Sequence, residues 1–186
     1  MSRFQLIDTP LSGLKVIQRL PRGDHRGFFS RFFCAEELHE AGFKTHICQI
    51  NHTLTHEIGT VRGLHYQVPP HAEIKLVSCL RGEILDVAVD LRANSPTFLQ
   101  WHAEVISAEN QRSLLIPQGF AHGFQTLQPD CELMYLHSAP HVPSAEAALN
   151  VLDPRLAIAW PLNVVGLSER DKSTPMLIEG FKGLIA

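Results

Sequence analysis

Hydrophobic and polar residues alternate in short runs along most of this chain, and turn residues break the runs at regular intervals. Segments 45–51, 61–67, 75–80, 83–91, 101–106, 112–116, 122–127 and 132–137 have the period-two pattern or length of strands. Arg81-Gly82, Asn94-Ser95-Pro96, Pro117-Gln118-Gly119 and Gln128-Pro129-Asp130 supply the turns between them. The pattern is clearest in 83–91, where Leu85, Val87, Val89 and Leu91 alternate with Ile84, Asp86, Ala88 and Asp90. It predicts one face in a core, with Asp86 and Asp90 on the other. Many short strands at this spacing predict an all-β sandwich or barrel. Ahead of them, 14–20 reads as a strand and 22–27 as a turn leading to Phe28, Phe29, Phe32 and Phe33. Residues 35–41 predict a short peripheral helix, with Glu36 and Glu37 at its start and Gly42 as its stop. Beyond 137, Pro140, Pro143 and Asp153-Pro154 predict an irregular segment, 138–186, that wraps the strands and ends in a helical turn near 168–172. No linker or repeat divides the chain, so a single domain over 1–186 is expected.

Composition narrows the function classes. A hydrophobic content of 45% over 186 residues supports a core without disulfides or metal. A net charge of -3 gives no basic field, so nucleic acid is not an expected partner, while a local anion site stays open. The four cysteines form no CxxC pair and lie in apolar contexts, which suits packing in a reducing cytoplasm. No apolar run approaches the roughly 18 residues of a membrane span, so neither membrane insertion nor export is expected.

Gly59-Thr60-Val61-Arg62-Gly63-Leu64-His65-Tyr66-Gln67 is the least ordinary stretch, because it sets a fixed cation and a titratable imidazole between glycines in an apolar strand. Alternation puts Arg62 and His65 on opposite faces, so they can meet only through a local bulge, which Gly63 would permit. Lys75 reads as an edge lysine or as a cation facing a pocket. His122, between Ala121 and Gly123, reads as a turn-satisfied histidine or as a ligand contact. Tyr135 reads as a core aromatic and Asp171 as a solvated carboxylate, unless their company gives them more to do.

Eleven histidines raise the question of metal, with His65 and His122 as candidate ligands of a metal-dependent oxygenase or isomerase. A barrel site of that kind wants His-x-His followed by a carboxylate, whereas His65 is followed by Tyr66-Gln67, and His52 and His56 fall in what reads as a loop. Without metal or another cofactor, the same residues form a proton-transfer set. A histidine oriented by Asp171 is a general base, Lys75 stabilises an enolate, and Tyr135 is an acid. Inversion next to a ketone needs two such groups on opposite faces.

The motifs resemble those of the nucleoside-diphosphate 4-keto-6-deoxysugar 3,5-epimerases, typified by dTDP-4-dehydrorhamnose 3,5-epimerase. Asp24-x-Arg26-Gly27-Phe28, Gln49-x-Asn51, Val61 to Gln67, Lys75-Leu76-Val77, Asp86 to Arg92, Pro117-x-Gly119-Phe120-Ala121-His122-Gly123-Phe124, Tyr135, Trp160-Pro161 and Ser168-x-x-Asp171 follow the family's order. The resemblance implies a metal-independent cupin-type jelly roll and a homodimer in which N-terminal strands are exchanged. It implies His65 as base, Asp171 as its orienting carboxylate, Tyr135 as acid, and Lys75 and His122 around the ketone and sugar. Arg26, Gln49, Asn51, Arg62, Glu146 and Arg170 fall where nucleotide or sugar is held. Two positions depart from the thymidine-binding pattern: Arg31 replaces a glutamate and His141 a stacking tyrosine. A donor-rich arginine suits a base edge rich in acceptors, which predicts that dTDP is not the preferred nucleotide, with a CDP-linked sugar as the alternative. A non-catalytic nucleotide-sugar binding protein is the remaining alternative.

Overall fold

A computed structural model describes residues 2–185. The strands are β1 (Phe4–Asp8), β2 (Lys15–Arg19), β3 (Arg22–Asp24), β4 (Gly27–Phe29), β5 (Gln49–Thr55), β6 (Val61–Gln67), β7 (Lys75–Arg81), β8 (Glu83–Asp90), β9 (Trp101–Ser107), β10 (Arg112–Ile116), β11 (Phe120–Thr126), β12 (Cys131–His137) and β13 (Glu146–Ala148). Two short α-helices, α1 (Ala35–Ala41) and α2 (Glu169–Ser173), and a 3-10 turn at Pro143–Ala145 complete the described elements. One sheet has the order β1-β2-β10-β7-β12-β5 and the other β13-β6-β11-β8-β9, while β3 and β4 form a separate hairpin. Within β5 to β12, strands 5, 7, 10 and 12 lie in the first sheet and 6, 8, 9 and 11 in the second. That alternation between sheets is the double-stranded β-helix of a cupin-type jelly roll.

Both faces of both sheets are covered, so the strands are more apolar than a one-sided pattern requires. Between the sheets, Ile84, Ala88, Ile106, Phe120 and Phe124 meet Val77, Leu114, Ile116 and Leu133. Behind the second sheet, Val61, Val87, Val89 and Leu91 pack under Leu149, Val151 and Leu156 of the C-terminal segment. Behind the first, Ile17, Leu76, Leu115 and Leu136 pack under Leu38 and Ala41 of α1. The face of β8 read as polar is therefore the interior one. Asp86 and Asp90 are completely buried. Asp90 satisfies its oxygens with Arg92, Ser95 and Thr97. Burial pushes its carboxyl up, but those hydrogen bonds outweigh it and bring it down to about 2.

α1 spans the predicted residues, and Gly42 ends it at φ +117°, a conformation that favours glycine. Three expectations need correction. The strand expected over 45–51 begins instead at Gln49 and continues through His52 to Thr55, residues read above as a loop. As an edge strand with an exposed outer face it lacks the apolar alternation that marks a core strand. Residues 4–8 form a strand, and the predicted turn at 22–27 with the following phenylalanines is the hairpin β3-β4. Cys79 and Cys131 are buried as packing residues, but Cys48 is exposed at the entry to β5 and Cys34 is only half-buried. Residues of the C-terminal segment pack on the second sheet, and β13 pairs with β6 at its edge.

Candidate active site

The site begins with a register error in the pairing of β6 with β11. His122 pairs with His65, but Phe124 pairs with Arg62, so the register slips by one residue between them. That slip brings Arg62 and His65 to the same cavity despite their odd spacing. It depends on two glycines. Gly63 has φ +141°, and a Cβ there would lie 2.5 Å from Cα of Gly123. The bulge expected from the sequence is therefore present, at the residue expected.

The cavity has a volume of about 340 Å³ and lies between the two sheets. Its walls come from β6 and β11 on one side and from β5, β7 and β12 on the other. His65 Nε2–H donates to Asp171 Oδ1 at 2.7 Å. Asp171 is held in α2 by its own backbone N–H, which donates to the Ser168 hydroxyl that caps the helix. With Nε2–H bound, Nδ1 carries the imidazole lone pair. Burial lowers the His65 pKa and Asp171 opposes the shift without cancelling it, so the ring is a neutral base at neutral pH.

Tyr135 rises from β12 in the opposite sheet. Burial and the charge of Asp86 hold its phenol well above the usual range, so it keeps its proton. The ring of His122 meets that of Tyr135 edge to face at 6.0 Å, and His122 Nε2–H donates to Asp86 Oδ1 at 2.6 Å. Lys75 Nζ lies 3.4 Å from the carbonyl oxygen of His65. Base, acid and cation thus converge on one cavity.

The remaining predicted residues divide in two. Gln49, Asn51, Arg62, His141 and Glu146 line the same cavity. Glu146 binds His141 Nε2 at 3.1 Å and Arg170 Nη1 at 2.8 Å, while Gln49 Oε1 accepts the His141 N–H at 2.6 Å. Arg26 and Arg31 do not reach it within the chain. Arg26 is paired with Asp24 on the β3-β4 hairpin. Arg31 Nη1 donates to Glu37 at 2.8 Å, whose carboxyl the Ser2 hydroxyl and the Arg3 N–H bring down to about 2.

Sequence reasoning missed Glu73, Thr53, Phe124 and His137, all of which line the cavity. Two were detectable, since His137 follows Tyr135 by two residues and Phe124 follows His122 by two, which places each pair on one strand face. The metal reading finds no ligand set. His65 and His122 each commit Nε2 to a carboxylate, and among the described residues no three His, Cys, Asp or Glu side chains gather as ligands. No helix among the described residues is long and apolar enough to cross a membrane.

With this geometry the chain was compared with known proteins. Residues 8–179 match the family described as dTDP-4-dehydrorhamnose 3,5-epimerase. The chain is 41% identical over 170 residues to the dTDP-4-dehydrorhamnose 3,5-epimerase of Sinorhizobium fredii, covering 91% of this chain and 87% of that protein. It superposes on dTDP-6-deoxy-D-glucose-3,5-epimerase RmlC from Legionella pneumophila, solved with dTDP-4-keto-L-rhamnose, with a TM-score of 0.92, 40% identity and 98% of each chain covered. It is also similar to ChmJ, a 3'-monoepimerase from Streptomyces bikiniensis solved with dTDP-quinovose, with a TM-score of 0.85, 34% identity, and 91% and 86% of the two chains covered.

Proposed function

The chain belongs to the dTDP-4-dehydrorhamnose 3,5-epimerase family, and from that premise we propose that His65, Asp171, Lys75 and Tyr135 carry its chemistry. The protein is an isomerase that epimerises a nucleotide-linked 4-keto-6-deoxyhexose in deoxysugar biosynthesis. His65 Nδ1 takes the proton from a carbon next to the ketone, and the electron pair moves onto the carbonyl oxygen as an enolate. The Lys75 ammonium and His122 face that oxygen. Tyr135 delivers a proton to the other face of the same carbon, and the imidazolium and phenolate so formed return to their starting states by proton loss to and gain from solvent before the next turnover. The observation that carries this assignment is that base and acid project from opposite sheets into one cavity.

Incubation with a dTDP-4-keto-6-deoxyhexose in deuterium oxide should place deuterium at a carbon next to the ketone, read by NMR. Lack of both exchange and inversion would overturn the assignment. The pH profile provides a second test. His65 must be neutral, so activity is present above its lowered pKa and lost as pH falls through it; Tyr135 must be protonated, so activity is lost only as pH rises through its raised pKa. kcat/KM should therefore show its acid limb below the ordinary imidazole value of about 6.5 and no alkaline limb until beyond the ordinary phenol value of about 10.

We also propose that a second copy of the chain completes the site. Phe28 and Phe29 are 66% and 61% exposed on the β3-β4 hairpin that carries Arg26, a surface suited to burial against a partner. Arg26 would then reach the nucleotide of the partner's site. A Phe28→Asp, Phe29→Asp variant should sediment as a monomer, and Arg26→Ala should raise KM about ten-fold with little change in kcat. The single domain over 1–186 and a cytoplasmic location, suited to the unpaired cysteines, belong to the same reading. For the base, a dTDP-linked sugar replaces the CDP-linked one expected above. Arg31 lies away from its own chain's cavity with Nη1 on Glu37, and the relatives compared above carry dTDP in their names.

A further inference from the structure

The cavity wall beside Tyr135 carries a histidine–carboxylate pair that the proton transfers leave unused. His137 Nδ1–H donates to Glu73 Oε2 at 2.7 Å, and Glu73 Oε1 lies 3.2 Å from Lys75 Nζ. The three side chains are only 15%, 10% and 10% exposed. Burial pushes the Glu73 carboxyl up, but the His137 hydrogen bond and the Lys75 charge outweigh it and hold it below the usual range. His137 lies opposite Lys75 on β7 and Gln49 on β5, and its ring stacks on that of Tyr135 at 6.0 Å with 19° between the planes. With Nδ1–H bound to Glu73, Nε2 is the ring nitrogen left for a ligand, and it makes no hydrogen bond to another described residue. A partly buried ring nitrogen lining a sugar-sized cavity needs a hydrogen-bond partner from whatever fills it.

We propose that His137 accepts a hydrogen bond from the C2 hydroxyl of the hexose and that Glu73 is its positioning residue, so that this site selects sugars that keep oxygen at C2. The inference rests on the epimerase reading above. C2 is favoured over C3 by stereochemistry: a hydroxyl on an inverting carbon swings away during turnover, whereas the C2 hydroxyl keeps its configuration and can be held throughout. A rigid strand-borne acceptor, fixed by a carboxylate, suits a group that stays in place.

The test compares a dTDP-4-keto-6-deoxyhexose with its 2-deoxy analogue. The native enzyme should favour the 2-hydroxy sugar by about 100-fold in kcat/KM, because the analogue leaves the acceptor unpaired. His137→Phe should lose about 100-fold on the 2-hydroxy sugar and little on the 2-deoxy sugar, which collapses the discrimination. His137→Gln, whose amide oxygen can accept, should recover part of it, and Glu73→Gln should lose about ten-fold on the 2-hydroxy sugar alone. Equal losses on both sugars, or no native discrimination, would overturn the inference. Calorimetric titration with dTDP-glucose and dTDP-2-deoxyglucose reads the same contact without turnover. Retained binding discrimination with no epimerisation would sink the function and leave this contact standing; equal binding of the two would sink the contact alone.

Discussion

Tyr135→Phe is expected to abolish inversion while leaving the protein able to exchange substrate hydrogen with solvent. The phenol projects from the sheet opposite His65, and burial keeps it protonated. Without its hydroxyl, His65 can still remove the proton and return one from solvent to the same face. Inverted product should therefore form about 10²- to 10⁴-fold more slowly, the usual contribution of a positioned acid. Deuterium should still enter the sugar, and KM should barely move, because the ring that packs against His122 and His137 remains. Inversion at the native rate would remove Tyr135 from the mechanism. A comparable loss of binding would make its role structural. Where both carbons next to the ketone react, NMR of the residual exchange also shows which of them His65 reaches.

His65→Ala has the other large effect, and it differs in kind. Both exchange and inversion should fall, by about 10³-fold or more, because His65 is the imidazole that Asp171 orients in the cavity. His122, its neighbour across β6 and β11, is tied through Nε2 to Asp86 and faces Tyr135. Asp171→Asn should reproduce part of the loss, about 10²-fold. An amide can donate to the imidazole, which would turn the Nδ1 lone pair into an N–H and remove the base. Thermal unfolding of the variants separates this from misfolding, since His65 is a cavity residue outside the packed clusters between and behind the sheets.

The linear chain determined the β architecture. Period-two runs broken by Gly, Pro, Asn and Asp placed strands 61–67 and 112–116 and helix 35–41 at their observed residues, because local backbone preference and burial agree there. It also singled out His65, Lys75, Tyr135 and Asp171, the residues proposed to carry the chemistry, through motifs that resemble those of the epimerase family. The second half of edge strand β5, His52 to Thr55, escaped because its stability comes from pairing with β12, and pairing partners 80 residues apart leave no local signature. Asp86 was misread for a related reason: alternation reports which residues share a face, not which face looks inward, and both faces of β8 are covered. Only the tertiary structure brought Glu73 and His137 together, 64 residues apart, and joined them to Lys75. It also showed that Arg26 and Arg31 lie away from their own chain's cavity. Contacts of this kind depend on sheet register and on which surfaces the fold leaves open, and those are properties of the packed chain rather than of any segment of it.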